Sequence, residues 1–142
     1  MLILDASVAA KLFIAEADSD RAEQVLGSGQ PLIAPDLVLV EVANALHKAW
    51  RRDVIDDAQM DRAVRRLPTI FGRLFPATEL VADAAIISRI LRHPVPDCIY
   101  VALHWRTGAP VITADLELVE AADAVPAWSG NAVRLGDFAA TL

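Results

Sequence analysis

Leu2-Ile3-Leu4-Asp5-Ala6-Ser7 is the stretch that decides the fold. Three apolar residues are too few for a helix, and they stop at an acid and a helix start. The run therefore reads as a short buried strand turning into a helix. The pattern returns in Val111-Ile112-Thr113-Ala114-Asp115, and two further acids close apolar stretches. These are Glu41, after Pro35-Asp36-Leu37-Val38-Leu39-Val40, and Asp97, in Pro96-Asp97-Cys98-Ile99-Tyr100. A carboxylate at the end of a buried strand, or on the inner face of a helix, carries a desolvation cost that surface acids avoid. Several of them in one cleft repel each other unless a hard cation sits among them. The pattern points to Mg²⁺ or Mn²⁺ and to phosphate chemistry.

Outward from that first strand, strands and helices alternate. The segment Val8 to Phe13 continues helically. A second helix begins at Asp18-Ser19-Asp20 and runs through Leu26, closed by Gly27-Ser28-Gly29. Pro31 to Pro35 is a second strand, and Asp36 is the expected N-cap of a helix reaching Trp50. Asp56 and Asp57 open a helix that ends before Pro68. A third strand is expected at Leu74-Phe75-Pro76, with Thr78 capping a long helix over Glu79 to Leu91. After His93-Pro94-Val95-Pro96, a helix is expected from Asp97 to Arg106. It is followed by a strand at Pro110 to Thr113, a helix at Leu116 to Ala124 and a strand at Ala132 to Leu135. Short apolar strands alternating with helices predict a parallel sheet covered on both faces, a three-layer α/β/α sandwich. Ligands of such sheets bind beyond the carboxyl ends of the strands, which is where Asp5 and Asp115 fall.

The 142 residues, 55% of them hydrophobic, suffice for one domain over residues 1–142 with a substantial core. The one cysteine, Cys98, leaves no internal disulfide and fits a reducing cytoplasm. An apolar N-terminus without a basic leader, interrupted by Asp5, argues against a signal peptide. No apolar run reaches the roughly 18–20 residues of a membrane span, so the expectation is a cytoplasmic protein with no membrane contact. The net charge of −6 speaks against a nucleic-acid partner. Its distribution softens that objection. Lys48, Arg51, Arg52, Arg62, Arg65, Arg66 and Arg73 outnumber Asp53, Asp56, Asp57 and Asp61 between them. That segment is either a solvated helix pair with salt links or a basic rim beside the acidic cleft.

Each candidate has a plain alternative. Asp5 would cap the helix near Ser7, and Ser7 would either cap it too or hydrogen-bond Asp5. Glu41 lies among Leu37, Val38, Val40, Val42, Ala43 and Ala45, and a buried Glu needs a partner. Asn44 and Lys48 share its face, so the choice is a link to Lys48 or to an arginine, or a metal ligand supported by Asn44. Asp97 and Asp115 both precede helices, where negative charge is welcome regardless of function. Glu117 and Glu120 read as solvated. His47, His93 and His104 lack zinc-site spacing, and neither a phosphate loop nor a nucleophile elbow is present.

With these residues in hand, the chain resembles the PIN-domain family, in particular its VapC-type toxin ribonucleases of prokaryotic toxin–antitoxin pairs. The likeness spans nearly the whole length. It rests on Leu4-Asp5-Ala6-Ser7, on Pro35-Asp36-Leu37 running into Glu41-Val42-Ala43-Asn44, on Asp97-Cys98-Ile99-Tyr100-Val101-Ala102-Leu103, and on Val111-Ile112-Thr113-Ala114-Asp115. The family often has an aromatic residue just before the third acid, where this chain has Pro96. The resemblance implies that Asp5, Glu41, Asp97 and Asp115 hold one or two Mg²⁺ or Mn²⁺ ions, with Ser7, Asn44 and Thr113 shaping the site. It implies an endoribonuclease that hydrolyses RNA phosphodiester bonds and a cognate antitoxin protein as partner; a homodimer is the expected competing use of the same apolar surface. Antitoxin or self-association would use apolar faces expected to be exposed along Val8 to Phe13 and along the helix from Asp36 to Trp50. Two rivals belong to other classes. One is a PIN-like module with a weak metal site that mainly holds a partner protein. The other is a haloacid-dehalogenase-like phosphatase, which would want an acid where Ser7 stands.

Overall fold

The computed structural model describes residues 1–138, and the last four residues of the expected 1–142 domain lie outside the described residues. Five strands form one parallel sheet: β1 (Leu2–Leu4), β2 (Leu32–Pro35), β3 (Arg73–Phe75), β4 (Val111–Thr113) and β5 (Ala132–Arg134), in the order β3-β2-β1-β4-β5. The residues of β1, β2 and β4 are buried throughout. Central parallel strands are covered on both faces, so they read as continuous apolar runs and do not alternate.

The helices are α1 (Ala6–Ala9), α2 (Ser19–Leu26), α3 (Leu37–Arg51), α4 (Asp57–Arg66), α5 (Val81–Leu91), α6 (Val95–Thr107) and α7 (Leu116–Asp123). The steps β1 to β2 to β3 and the steps β3 to β4 to β5 run in opposite directions across the sheet. Right-handed crossovers therefore put α1–α4 over one face and α5–α7 over the other. The packing of α1 on α3, of α3 on α4 and of α5 on α6 agrees with that layering. The expected three-layer sandwich is the fold.

Helix α6 lies deepest, with Cys98 through Leu103 all buried. It begins at Val95, two residues earlier than expected, because Pro94 and Pro96 occupy its start, where a missing N–H costs nothing. Gly108, at φ 75°, turns the chain out of it in a left-handed conformation.

Several local expectations need correction. Asp36 does not cap its own helix; its Oδ1 accepts from the amide of Ala77 at 2.9 Å, tying the end of β2 to the turn after β3. Thr78 caps nothing and sits in a 3-10 turn, Ala77–Glu79, ahead of α5. The first helix starts at Ala6, within the expected turn at Asp5-Ala6-Ser7, but it is α-helical only to Ala9 and passes into a 3-10 turn over Ala10–Leu12. Val8, Ala9 and Ala10 are core residues, so that segment offers no exposed apolar face. On α3, Val38, Val42, Leu46 and Ala49 are likewise buried, and Val40 and Trp50 are the large apolar side chains it exposes. No helix of the described residues is long and apolar enough to cross a membrane.

Candidate functional site

Strand order reverses between β1 and β4, and this switch point opens a crevice beyond their carboxyl ends. Asp5 is the first residue past β1, and Thr113 is the last of β4. The ladder joins them, with Leu4 paired to Ile112 and the Asp5 amide donating to Ile112 O at 3.1 Å. Asp5 makes no side-chain cap on α1. Its Oδ2 instead accepts from Thr113 Oγ1 at 2.6 Å and Ser7 Oγ at 2.8 Å. Each hydroxyl in turn accepts from the neighbouring chain: the Ala114 amide donates to Ser7 Oγ at 3.0 Å, and the Asp115 amide to Thr113 Oγ1 at 3.0 Å. Four groups from two strand ends thus fix one buried carboxylate.

Burial raises the Asp5 carboxyl above its ordinary range. The Thr113 and Ser7 hydroxyls pull it back, and the charge of Asp97 pushes it up again. Glu41 projects from α3 and is held by the Tyr100 phenol, which donates to its Oε1 at 2.7 Å. Its partner is therefore not Lys48, nor an arginine among the described residues. Burial pushes Glu41 up to about 7; the Tyr100 hydrogen bond opposes that rise, and the charges of Asp5 and Asp97 add to it. Tyr100 is itself raised well above the phenol range by burial and by the charges of Asp5 and Glu41. Asp5, Glu41 and Asp97 are thus close enough to feel one another's charge.

Asp97 sits in the first turn of α6, and its Oδ2 lies 2.8 Å from His93 Nε2. The same nitrogen is 3.7 Å from Asp115 Oδ2. Asp115 Oδ1 meanwhile caps α7, accepting from the amides of Glu117 and Leu118. The dull reading of Asp115 holds for one oxygen while the other faces the cleft. One donor atom from each of His93, Asp97 and Asp115 lies within 4.8 Å of the other two. Asp97 links this trio to Asp5 and Glu41. Asn44 is exposed, and its side chain makes no hydrogen bond among the described residues.

The donor set fits a divalent cation. Two carboxylates, Asp5 buried and Glu41 half-buried, are driven upward by desolvation and by like charge, and no lysine or arginine among the described residues pairs with them. A hard cation relieves that arrangement directly.

Sequence reasoning missed His93 and Tyr100. His93 precedes Asp97 by four residues and Tyr100 follows it by three, spacings that bring side chains to one helix face. The search for zinc spacing among the histidines alone hid the first, and the second reads as ordinary core.

The PIN domain family model matches residues 2–124. This chain belongs to the PIN domain family. Ribonuclease VapC3 of Pyrobaculum aerophilum is 33% identical to this PIN domain over 123 residues, spanning 84% of this chain and 92% of that protein. Two solved structures share the fold. PAE2754 from Pyrobaculum aerophilum superposes with a TM-score of 0.70 at 20% identity, over 95% of this chain and 83% of its own. A toxin–antitoxin complex from Klebsiella pneumoniae gives 0.63 at 18% identity, over 81% and 87%. The crevice of this PIN domain lies where α/β sheets of this kind hold ligands.

Proposed function

We propose that this PIN domain is a divalent-metal-dependent endoribonuclease acting as the toxin of a toxin–antitoxin pair in the cytoplasm. The observation that carries the reading is the mutual charge of Asp5, Glu41 and Asp97 at the switch point, with no lysine or arginine among the described residues paired to them. The 33% identity to a protein named a ribonuclease supports the choice of RNA.

Asp5, Asp97 and Asp115 would hold a Mg²⁺ or Mn²⁺ ion. A bound ion of this kind acidifies water and neutralises charge growing on the phosphoryl oxygens. Ser7 and Thr113 keep Asp5 Oδ2 fixed, so the carboxylate is preorganised and need not be ordered during turnover. Glu41, anchored by Tyr100, serves as a further ligand or orients the attacking water. Asn44, exposed on α3, would help shape the site from that helix. Hydrolysis needs no covalent intermediate and leaves 5′-phosphate and 3′-hydroxyl ends. Among the described residues, the ion pairs involve Lys11, His93 and Arg106 and none of the basic side chains between Lys48 and Arg73. Arg66 and Arg73 lie over the Phe13 and Phe75 rings, and the others are the cations we assign to RNA phosphates.

The antitoxin and a homodimer belong to the same proposal. For self-association the exposed Ile86 and Ile90, one turn apart on α5, replace the face expected at Val8 to Phe13.

Purified protein incubated with structured RNA tests the reading. Cleavage that requires Mn²⁺ or Mg²⁺, leaves 5′-phosphate ends and disappears in Asp97→Asn is the expected result. Intact RNA with the metal-loaded wild type would turn the reading to a module that mainly binds a partner protein.

A further inference from the structure

His93 is the nitrogen donor beside the carboxylates of the cleft, and its position is built by the fold. Helix α5 ends at Arg92 in a left-handed conformation, φ 53° and ψ 47°, and the His93 amide folds back to Ser88 O at 3.2 Å. Cys98 Sγ reaches the His93 carbonyl at 3.5 Å, and Pro94 stiffens the next step of the chain. The imidazole side chain is only 7% exposed, with Nε2 turned toward Asp97 and Asp115. Metal–donor bonds of about 2.0–2.2 Å put adjacent donors around one ion about 2.8–3.6 Å apart. Nε2 stands 2.8 Å from Asp97 Oδ2, at the lower end of that range, and 3.7 Å from Asp115 Oδ2, just beyond its upper end, so a small movement of Asp115 would bring both oxygens onto one ion.

Resting on the metal-dependent reading above, we propose that His93 Nε2 is a nitrogen ligand of the ion at Asp97 and Asp115 and biases the site toward Mn²⁺ over Mg²⁺. The chemistry of the donor gives the direction. Mg²⁺ prefers an all-oxygen octahedron and sheds water reluctantly, whereas imidazole suits borderline first-row ions. An all-carboxylate cleft would discriminate weakly, and adding one imidazole supplies the preference.

Pulsed electron paramagnetic resonance of Mn²⁺ on the full chain reads nitrogen ligation directly, without reference to activity. The wild type should show ¹⁴N coupling, and His93→Ala should lose it. In parallel calorimetric titrations, His93→Ala should weaken Mn²⁺ by about 10–100-fold, the usual effect of disturbing a metal's surroundings, and Mg²⁺ by much less. His93→Gln, which keeps a hydrogen-bonding group beside Asp97, guards against misfolding and should reproduce the loss of coupling. Bound Mn²⁺ without ¹⁴N coupling, or an equal loss for both ions, overturns the role of His93 and leaves the metal-dependent reading standing. Failure of the wild type to bind Mn²⁺ at all overturns both.

Discussion

Thr113 is wholly buried, and its hydroxyl hydrogen goes to Asp5 Oδ2 at 2.6 Å. Removing a donor from a buried carboxylate leaves that group short of a partner, so Thr113→Val should lower stability by about 1–3 kcal/mol. Thr113→Ser should recover most of the loss; urea unfolding of the two variants compares them. Glu41 makes a prediction about pH. Its folded value, about 7, lies above the ordinary 4.5, so the folded chain holds a proton that the unfolded chain has released. That contribution is fully present below about 4.5 and is lost as pH rises through about 7. The metal-free protein should lose stability across this window, and Glu41→Gln should flatten the decline in urea midpoints. Asp5, raised in the same direction, keeps some slope in the variant. The acids could be read from the sequence because each ends an apolar run. Tyr100 could not, because its phenol is recognisable only once α3 and α6 are seen to meet.

Element boundaries were less legible than the elements themselves, and the reason is the ownership of backbone amides. Asp36 looked like the cap of α3, yet the amide it serves is that of Ala77, forty-one residues away. No local pattern announces that partner. By contrast Asp56 closes a capping box with Gln59 on α4, a purely local motif that the sequence displays. The end of α5 carries a different cost. Arg92 is left-handed without being glycine, which strains the backbone by about 1 kcal/mol. Arg92→Gly should therefore raise stability slightly, by up to about 0.6 kcal/mol, net of the added freedom of the unfolded chain. Urea midpoints check it, and a lower midpoint would mean that the Arg92 side chain, and not its backbone, secures the turn holding His93.

Across the whole molecule, the strand order β3-β2-β1-β4-β5 does what no single motif can: it sets Asp5 beside Thr113, one hundred and eight residues apart in the chain. Alternation of strands and helices predicted a parallel sheet, but the order of the strands follows from crossovers and packing that the sequence does not spell out. Glu41 and Asp97 come from opposite layers and reach the same crevice because α3 and α6 both border the switch point. Such a gathering of like charge weakens the fold unless something positive joins it, and the central claim is that a divalent cation does. Thermal unfolding with and without Mn²⁺, in wild type and Asp97→Asn, tests this most directly. Ligand that binds only the folded state at a hundredfold excess over Kd stabilises by about 2.7 kcal/mol, a rise of about 8–10 °C for a chain of this size. The wild type should show that rise and Asp97→Asn little of it. An equal rise in both proteins, or none in the wild type, would contradict the account.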